Sequence, residues 1–338
     1  MVRFRENVNW DRTQSLLRMG WGDSKQKNTA TDVMLDSGAL FEVKYPPARY
    51  WDSQATESSD DYPIPFDGEG MDAKPLFKFV VREDTKEILG LHSGKYPELP
   101  NYGYLAETAE MLFPNSTTSC TVFGKGERVA LTQDIQEPFD LGGGDVVRPQ
   151  LLWMSSFNGQ WSTTVYDLMG RLFCMNQLVG RAPMFRVKHT KNHDLMLQTR
   201  REIVIDHMKR SETFKRMAEV LRDQEYTNEQ FIELTKDLVP NPPPPIDEAT
   251  GEPLPLDERS LAPVIAKRKA MKERWVKEVE KFGTPEVGGT AWLAYNAIQG
   301  AEQHDMGRGE ATNERSLLRA IEGKTLLADR ALDLLHRI

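Results

Sequence analysis

The sequence is short of cysteine, has no long apolar run and lacks every common catalytic signature. Its 338 residues include two cysteines, Cys120 and Cys174. Two thiols alone form no disulfide framework and lack metal-ligand spacing, so both read as reduced, buried core residues. No uninterrupted apolar stretch approaches the roughly 18 residues a bilayer span requires, and the opening MVRFRENVNW lacks the apolar centre of a signal peptide. The expectation is a cytoplasmic protein with no membrane partner. There is no Walker A sequence, no G-x-S-x-G, no H-E-x-x-H and no C-x-x-C, so nothing points to a cofactor, a metal or a familiar enzyme class. Leu141-Gly-Gly-Gly-Asp145 lies between strand-like runs without the helix start that makes such a loop hold anions, and reads as a turn. His189 and His193 are four apart, yet VKHTKNHD begins strand-like and has no nearby Cys or dedicated base, so they read as solvated or phosphate-facing.

Positive charge is outnumbered overall, 43 Lys and Arg against 51 Asp and Glu, and concentrated locally. A net charge of -8 argues against indiscriminate nucleic-acid binding, which relies on basic surface. Residues 181–216 nevertheless carry ten Lys/Arg against four Asp/Glu, whereas residues 50–72 are almost wholly acidic. Such asymmetry predicts a positive stripe on a negative body. A charge run alone reads as a solvated face; the neighbouring aromatics add to it. Arg171, Arg186, Lys188, Lys191, Arg200, Arg201, Lys209 and Arg210 are the candidates for holding phosphates, and Trp153, Phe157 and Trp161 those for stacking on or shaping a groove, the pairing that single-strand binders use. As sheet aromatics, the same rings also read as core.

The order of elements predicts an α+β fold. NWDRTQSLLRMGWGD reads as a short helix, TDVMLDSGALFEVKYPPARYWD as broken strands, and the acidic segment 52–72 as a loop. PLFKFVVRED with EILGLHSGKY, and TSCTVF with ERVALTQDI about Gly124-Lys125-Gly126, read as hairpins on either side of a helix in NYGYLAETAEMLFP. RPQLLWMSSF and WSTTVYDLMG flank Asn158-Gly159, a hairpin signal that would bring Trp153 and Trp161 close together. Helices follow in SETFKRMAEVLRD and TNEQFIELTKDLV, the second with a Thr227/Gln230 capping box. Prolines make Val239–Glu258 an extended arm. Beyond it come a basic amphipathic helix closed by Gly283, a helix capped by Thr290 and a helical tail. The expected divisions are an N-terminal helical segment over 1–29, a curved antiparallel sheet with packed helices over 30–210, a helical pair over 211–238, the arm over 239–258 and a mostly helical region over 259–338.

In that order VREDTKEILGLHSGKY, GYLAETAEMLF, FGKGERVAL, LLWMSSFNGQWSTTVYDLMGRLFCMNQL and TAWLAYNAIQGAEQHD resemble the phage/plasmid-like proteins of domain-of-unknown-function family 932, over roughly residues 75 to 305 of this chain. In that family a Ser-His-Asp-Gly turn precedes an Arg, a Cys and an Asn. Here the turn is Ser156-Phe157-Asn158-Gly159, followed by Arg171, Cys174 and Asn176, so Phe157 and Asn158 depart from the pattern. The resemblance implies a phage, prophage or plasmid setting and no established reaction. The layout of hairpin, helix and further antiparallel strands is also similar to RecT-like and Rad-type single-strand annealing proteins.

The expectation from these readings is a non-enzymatic protein of phage DNA metabolism that binds single-stranded DNA and anneals complementary strands as a homo-oligomer, in the host cytoplasm if phage-encoded. Annealing draws its free energy from base pairing, so the absent P-loop fits. The alternative is a phage structural or host-interaction protein that binds a protein partner through its acidic body or Pro-rich arm. A third class, an enzyme, would draw on scattered residues such as His92, Asp167 and Arg171.

Overall fold

The computed structural model describes residues 29–48, 66–67, 74–75, 77–94, 102–171, 177–179, 184–187, 200–247, 250–284, 288–306, 318, 322 and 325–336. The helix expected in residues 9–23, nearly all of the acidic loop, Cys174, Asn176, Lys188, Lys191 and the histidine pair lie outside the described residues.

The first described element is a helix, not the expected strand. In α1 (Ala30–Asp36) the Thr29 hydroxyl caps the Asp32 amide, and the Glu110 carboxylate accepts from the Ala30 amide at 2.8 Å. Those contacts, with Ala30 and Met34 fully buried, outweigh the β-branched residues that suggested a strand. Only β1 (Val43–Lys44) remains of that strand reading; it pairs antiparallel with β4 (Phe77–Arg82), after the short β2 (Phe66–Asp67) and β3 (Lys74–Pro75) ribbon. β4 and β5 (Ile88–Ser93) form the expected hairpin, and the order β1-β4-β5 makes a three-stranded sheet. Helix α2 (Tyr102–Leu112) follows.

A second, larger sheet holds β6 (Thr117–Phe123), β7 (Arg128–Gln133), β8 (Phe139–Asp140), β9 (Val146–Ser156), β10 (Thr163–Arg171), β11 (Gln177–Val179) and β12 (Phe185–Val187), all antiparallel. Its order is β11-β10-β9-β7-β6, with β12 also beside β10 and β8 beside β9. The single curved sheet expected from sequence is thereby overturned: the strands divide among separate open sheets, none curved or closed. The physical reason is local. Gly90 lets β5 approach the large sheet's β9–β10 loop so closely that a Cβ there would lie 2.5 Å from the Phe157 carbonyl. His92 Nε2 donates to that same carbonyl at 2.5 Å. The small sheet is thus pinned to the loop instead of extending the ladder.

Because side chains alternate along a strand, the large sheet has two faces. Cys120, Leu131, Trp153 and Val165 are register partners across four strands and pack under α1 and α2. Ala130, Leu152, Met154 and Leu168 point the other way and pack with Phe123 and Trp161. The two tryptophans expected to meet therefore sit in different clusters. The β9–β10 connection runs over six residues, 157–162, and the Ser156 hydroxyl closes it by accepting from the Trp161 amide and donating to the Trp161 carbonyl.

The C-terminal half is helical, as expected. Helix α3 (Arg200–Asp223) packs on β10, then β13 (Glu225–Tyr226) leads into α4 (Asn228–Leu238), where the Thr227/Gln230 capping box is present. Among the described residues of the expected extended arm, Ile246 bridges antiparallel to Pro253, the Leu254 amide donates to the Pro245 carbonyl and the Asp247 amide to the Glu252 carbonyl, so the segment turns back on itself. Helix α5 (Glu258–Phe282) starts at the Asp257 cap and holds Pro263 within it. Ribbon strand β14 (Gly289–Thr290), helix α6 (Ala291–Gly300) with its π-helical extension Ala301–Asp305, and α7 (Leu326–Leu335) complete it. These helices share one core with Leu141, Val147 and Met169 of the sheet side.

Helix α3 buries a stripe of Ile203, His207, Ser211, Ala218 and Leu221, spaced as one helix face requires. Both ring nitrogens of His207 and the Ser211 hydroxyl lack hydrogen-bond partners among the described residues. Burial drives the His207 pKa from 6.5 down to about 4, with Asp206 opposing and Arg210 reinforcing. A depressed pKa of this kind contributes stability that is present above the unfolded pKa and lost as pH falls through the folded one. Chemical denaturation is expected to show stability declining between pH 6.5 and 4, by about 3 kcal/mol from this residue, and His207→Leu is expected to flatten that decline. An unchanged pH profile in the variant would show that the ring is not buried neutral.

Candidate functional site

The sheet and the helices meet at one buried cation. Arg171 ends β10, opposite Val147 near the start of β9, and Asp145 immediately precedes β9, so strand register alone brings the two side chains together. Arg171 donates to both oxygens of Asp145, Nε at 2.5 Å and Nη2 at 2.8 Å, and through Nη1 to Glu278 of α5 at 2.6 Å. Trp292, in the first turn of α6, donates Nε1 to Asp145 at 2.8 Å. The guanidinium also lies 4.9 Å from the Phe282 ring centre and 5.7 Å from that of Trp292. All three charged groups are at most 4% exposed, at 2%, 4% and 2% for Arg171, Asp145 and Glu278. Burial pushes the Glu278 carboxyl above its ordinary range, although Arg171 pulls it down. The bidentate fork suits arginine, whose planar donors match a carboxylate.

A cleft of about 480 Å³ opens beside this cluster. Its rim is the loop Leu141–Asp145, with Gly142, Gly143 and Gly144 at φ of 114°, 67° and 81°. Arg222 from α3 and Lys281 from α5 flank the loop, and Phe282, Trp292 and Leu293 line the interior. An Arg222 Nη1 donates to the Leu141 carbonyl.

The residues singled out in the sequence do not converge here as a groove. Trp153, Phe157 and Trp161 are 0%, 1% and 7% exposed. Phe157 packs on Tyr102 at 4.4 Å and Phe41 at 6.0 Å, and Trp161 on Phe123 at 5.7 Å, with its Nε1 donating to Glu322 at 3.1 Å. Rings so enclosed offer no face to a base, and the stacking role gives way to core packing. Arg171 is likewise committed to its carboxylates and cannot hold a phosphate. Arg210 pairs with Asp167 at 3.0 Å and Asp206 at 2.8 Å, whereas Lys209 is exposed. Arg186 lies in β12 opposite Thr164, and Arg200 and Arg201 open α3. Lys188 and Lys191 fall outside the described residues. His92, Asp167 and Arg171 have separate partners, Phe157, Arg210 and Asp145, so the trio forms no site. Among the described residues no cluster of His, Cys, Asp and Glu could hold a metal ion, and no helix is long and apolar enough to cross a membrane.

Asp145, Glu278 and Trp292 were missed in the sequence reading. A signal existed for Glu278: it follows Met271 and Trp275 on the buried face of α5, where an apolar residue would be expected. Asp145 was hidden in what looked like a turn.

An α+β protein with open antiparallel sheets, joined to a helical C-terminal region through a buried Arg-carboxylate cluster, is the class these features define. The family model for the domain of unknown function DUF932 matches residues 99–322, well over half of the chain, and the chain belongs to that family. The match runs from just before α2 to beyond α6 and contains the whole cluster; the three-stranded sheet precedes it. No curated protein and no solved structure matches the chain.

Removing the cation leaves two carboxylates in a dry interior. Arg171→Met is expected to destabilise by about 3–5 kcal/mol in urea denaturation, and adding Asp145→Asn and Glu278→Gln to it is expected to recover much of that loss. A single variant as stable as wild type would mean that the cluster is hydrated and not structural.

Proposed function

We propose that this protein binds single-stranded DNA through its phosphate backbone, without reading sequence, and brings complementary strands together as an oligomer in a phage, prophage or plasmid setting. The observation that carries this reading is the surface of α5. Arg259, Lys267, Lys269, Lys272, Lys277 and Lys281 are exposed there against Glu258, Glu273 and Glu280. Only Lys269 among the first four lysines has an ion-pair partner, Glu273 at 3.7 Å; Lys267, Lys272 and Lys277 form no ion pair among the described residues. Unpaired cations spread along a 25-residue helix, roughly 37 Å long, suit a polyanion better than a compact ligand. Lys209 on α3 is exposed as well. The RecT-like and Rad-type analogy belongs to this reading as a suggestion of layout only, and annealing would need no nucleotide hydrolysis. With the aromatics buried, affinity rests on phosphates instead of stacking.

A second reading, an interaction protein, is favoured by the three-stranded sheet. Phe77, Ile88 and Leu91 are 47%, 55% and 53% exposed, and the pairing of Phe79 with Leu91 and Val81 with Ile88 puts all three on one face. A contiguous apolar face of this kind fits a protein surface.

Fluorescence anisotropy with labelled oligothymidylate at two salt concentrations separates the readings. Wild type is expected to bind at low salt, with log affinity falling against log salt by about 0.7 per neutralised phosphate. Lys267→Gln, Lys272→Gln and Lys277→Gln together are expected to weaken binding and flatten that slope by roughly 2, with no change in melting temperature. Folded wild-type protein that fails to bind at low salt would rule out the nucleic-acid reading.

A further inference from the structure

We propose that Asn158 is a self-modifying site: attack by the Gly159 backbone nitrogen expels the side-chain nitrogen as ammonia, and the isoaspartate that results loosens the small sheet from the β9–β10 loop. The chemistry needs a nucleophile, an electrophile and water, and this turn brings the three together. Asn158-Gly159 is the one Asn-Gly pair in the chain. Glycine puts no Cβ beside the attacking nitrogen and leaves the backbone free to swing. Gly159 sits at a φ of 75° and is open to solvent.

The Gly159 amide makes no hydrogen bond among the described residues, so it gives up no partner when it loses its proton. Asn158 Oδ1 accepts from the Gln160 amide at 3.0 Å. That donor polarises the side-chain carbonyl and stabilises the charge that builds on Oδ1 as the nitrogen adds to Cγ, as an oxyanion hole does. The bond from Gly159 N to Cγ forms, the Cγ–Nδ2 bond breaks, and Nδ2 leaves as ammonia, on balance with the hydrogen that Gly159 gave up. Water then opens the cyclic imide. Its attack at Cγ gives aspartate, and its attack at the Asn158 main-chain carbonyl carbon gives isoaspartate, whose chain runs on through Cβ and Cγ. Water is consumed and ammonia released in equal amounts, with no change of oxidation state.

An added main-chain carbon has nowhere to go at this position. On one side the Phe157 amide donates to the Glu127 carbonyl at 2.7 Å and the Phe157 ring is packed on Tyr102. On the other, the Ser156 hydroxyl holds both the amide and the carbonyl of Trp161. Between these anchors β5 rests on the loop. A Cβ at Gly90 would lie 2.9 Å from the Asn158 Cα, and the Phe157 carbonyl takes the hydrogen bond from His92. The extra carbon therefore shifts the surface on which β5 is docked. Aspartate, by contrast, keeps the normal backbone and an oxygen for the Gln160 amide, and its charge stays at the exposed end of the turn. Backbone lengthening, not charge, undoes the contact.

This inference stands independently of strand binding, and peptide mapping with isoaspartate-specific methylation tests it. In folded wild type held at mildly alkaline pH, aspartate and isoaspartate are expected at residue 158 sooner than acid at any other asparagine, with a matching release of ammonia. The rate is expected to rise with pH, because the attacking nitrogen must lose its proton. Asn158→Gln, whose longer side chain closes a ring less readily, is expected to remain an amide. Aged wild type, separated from fresh protein by ion exchange, is expected to show faster hydrogen exchange in β4 and β5. Freshly prepared Asn158→Asp, which has the charge without the longer backbone, is expected to exchange like fresh wild type. An Asn158 that stays an amide in the folded protein while it converts in the urea-unfolded chain would overturn the site. Isoaspartate at residue 158 with exchange in β4 and β5 unchanged would overturn its effect on the docking.

Discussion

The guanidinium of Arg171 must be neutralised, because an isolated charge cannot be kept in an interior as dry as the one around it. Its partners come from three places: Asp145 before β9, Glu278 from α5, and Trp292 from α6, which holds Asp145 in turn. Satisfying one cation therefore fixes the adjoining ends of β9 and β10 against two helices. Hydrophobic contact between them is extensive, with Leu141, Val147 and Met169 packed among Met271, Trp275, Ala291 and Ile298, but apolar packing tolerates sliding in a way that a bidentate ion pair does not. The cluster sets the register of the assembly, while burial of apolar area supplies most of its stability.

The same cluster shapes the surface. With Asp145 drawn inward, the three glycines before it must turn outward, and they do so through left-handed conformations that other residues rarely adopt. The loop's outward course and the cleft behind it are consequences of where that aspartate goes. Arg222 then closes the loop on its other side through the Leu141 carbonyl.

Much of the local structure was legible in the sequence because it depends on local chemistry. The hairpins at Asp84–Lys86 and Gly124–Gly126, helix α2, the Thr227 capping box and the Thr290 cap follow from turn residues, periodicity and short polar side chains. The errors came where distant contacts decide. Ala30–Asp36 reads as strand until Glu110 accepts the Ala30 amide, 80 residues away. A curved continuous sheet was plausible until Gly90 allowed the small sheet to dock on the Phe157 carbonyl. Trp153, Phe157 and Trp161 looked like a binding surface because an aromatic in a strand has the same letter whether covered or bare, and the covering helices lie elsewhere in the chain. His207 and Ser211 were read as part of a basic run, although their spacing from Ile203 and Ala218 marks a buried stripe.

The reach of these contacts along the chain has a kinetic consequence. Arg171 and Glu278 are separated by 107 positions, Asp145 and Trp292 by 147, and Trp161 and Glu322 by 161. Loops of that length close late, and contacts across them form after local hairpins and helices. On a ribosome the strands carrying Arg171 and Asp145 emerge well before α5 and α6, so the nascent sheet presents a bare ion pair and an uncovered apolar edge until the last quarter of the chain has been made. That interval leaves apolar surface uncovered, the condition under which unfinished chains associate.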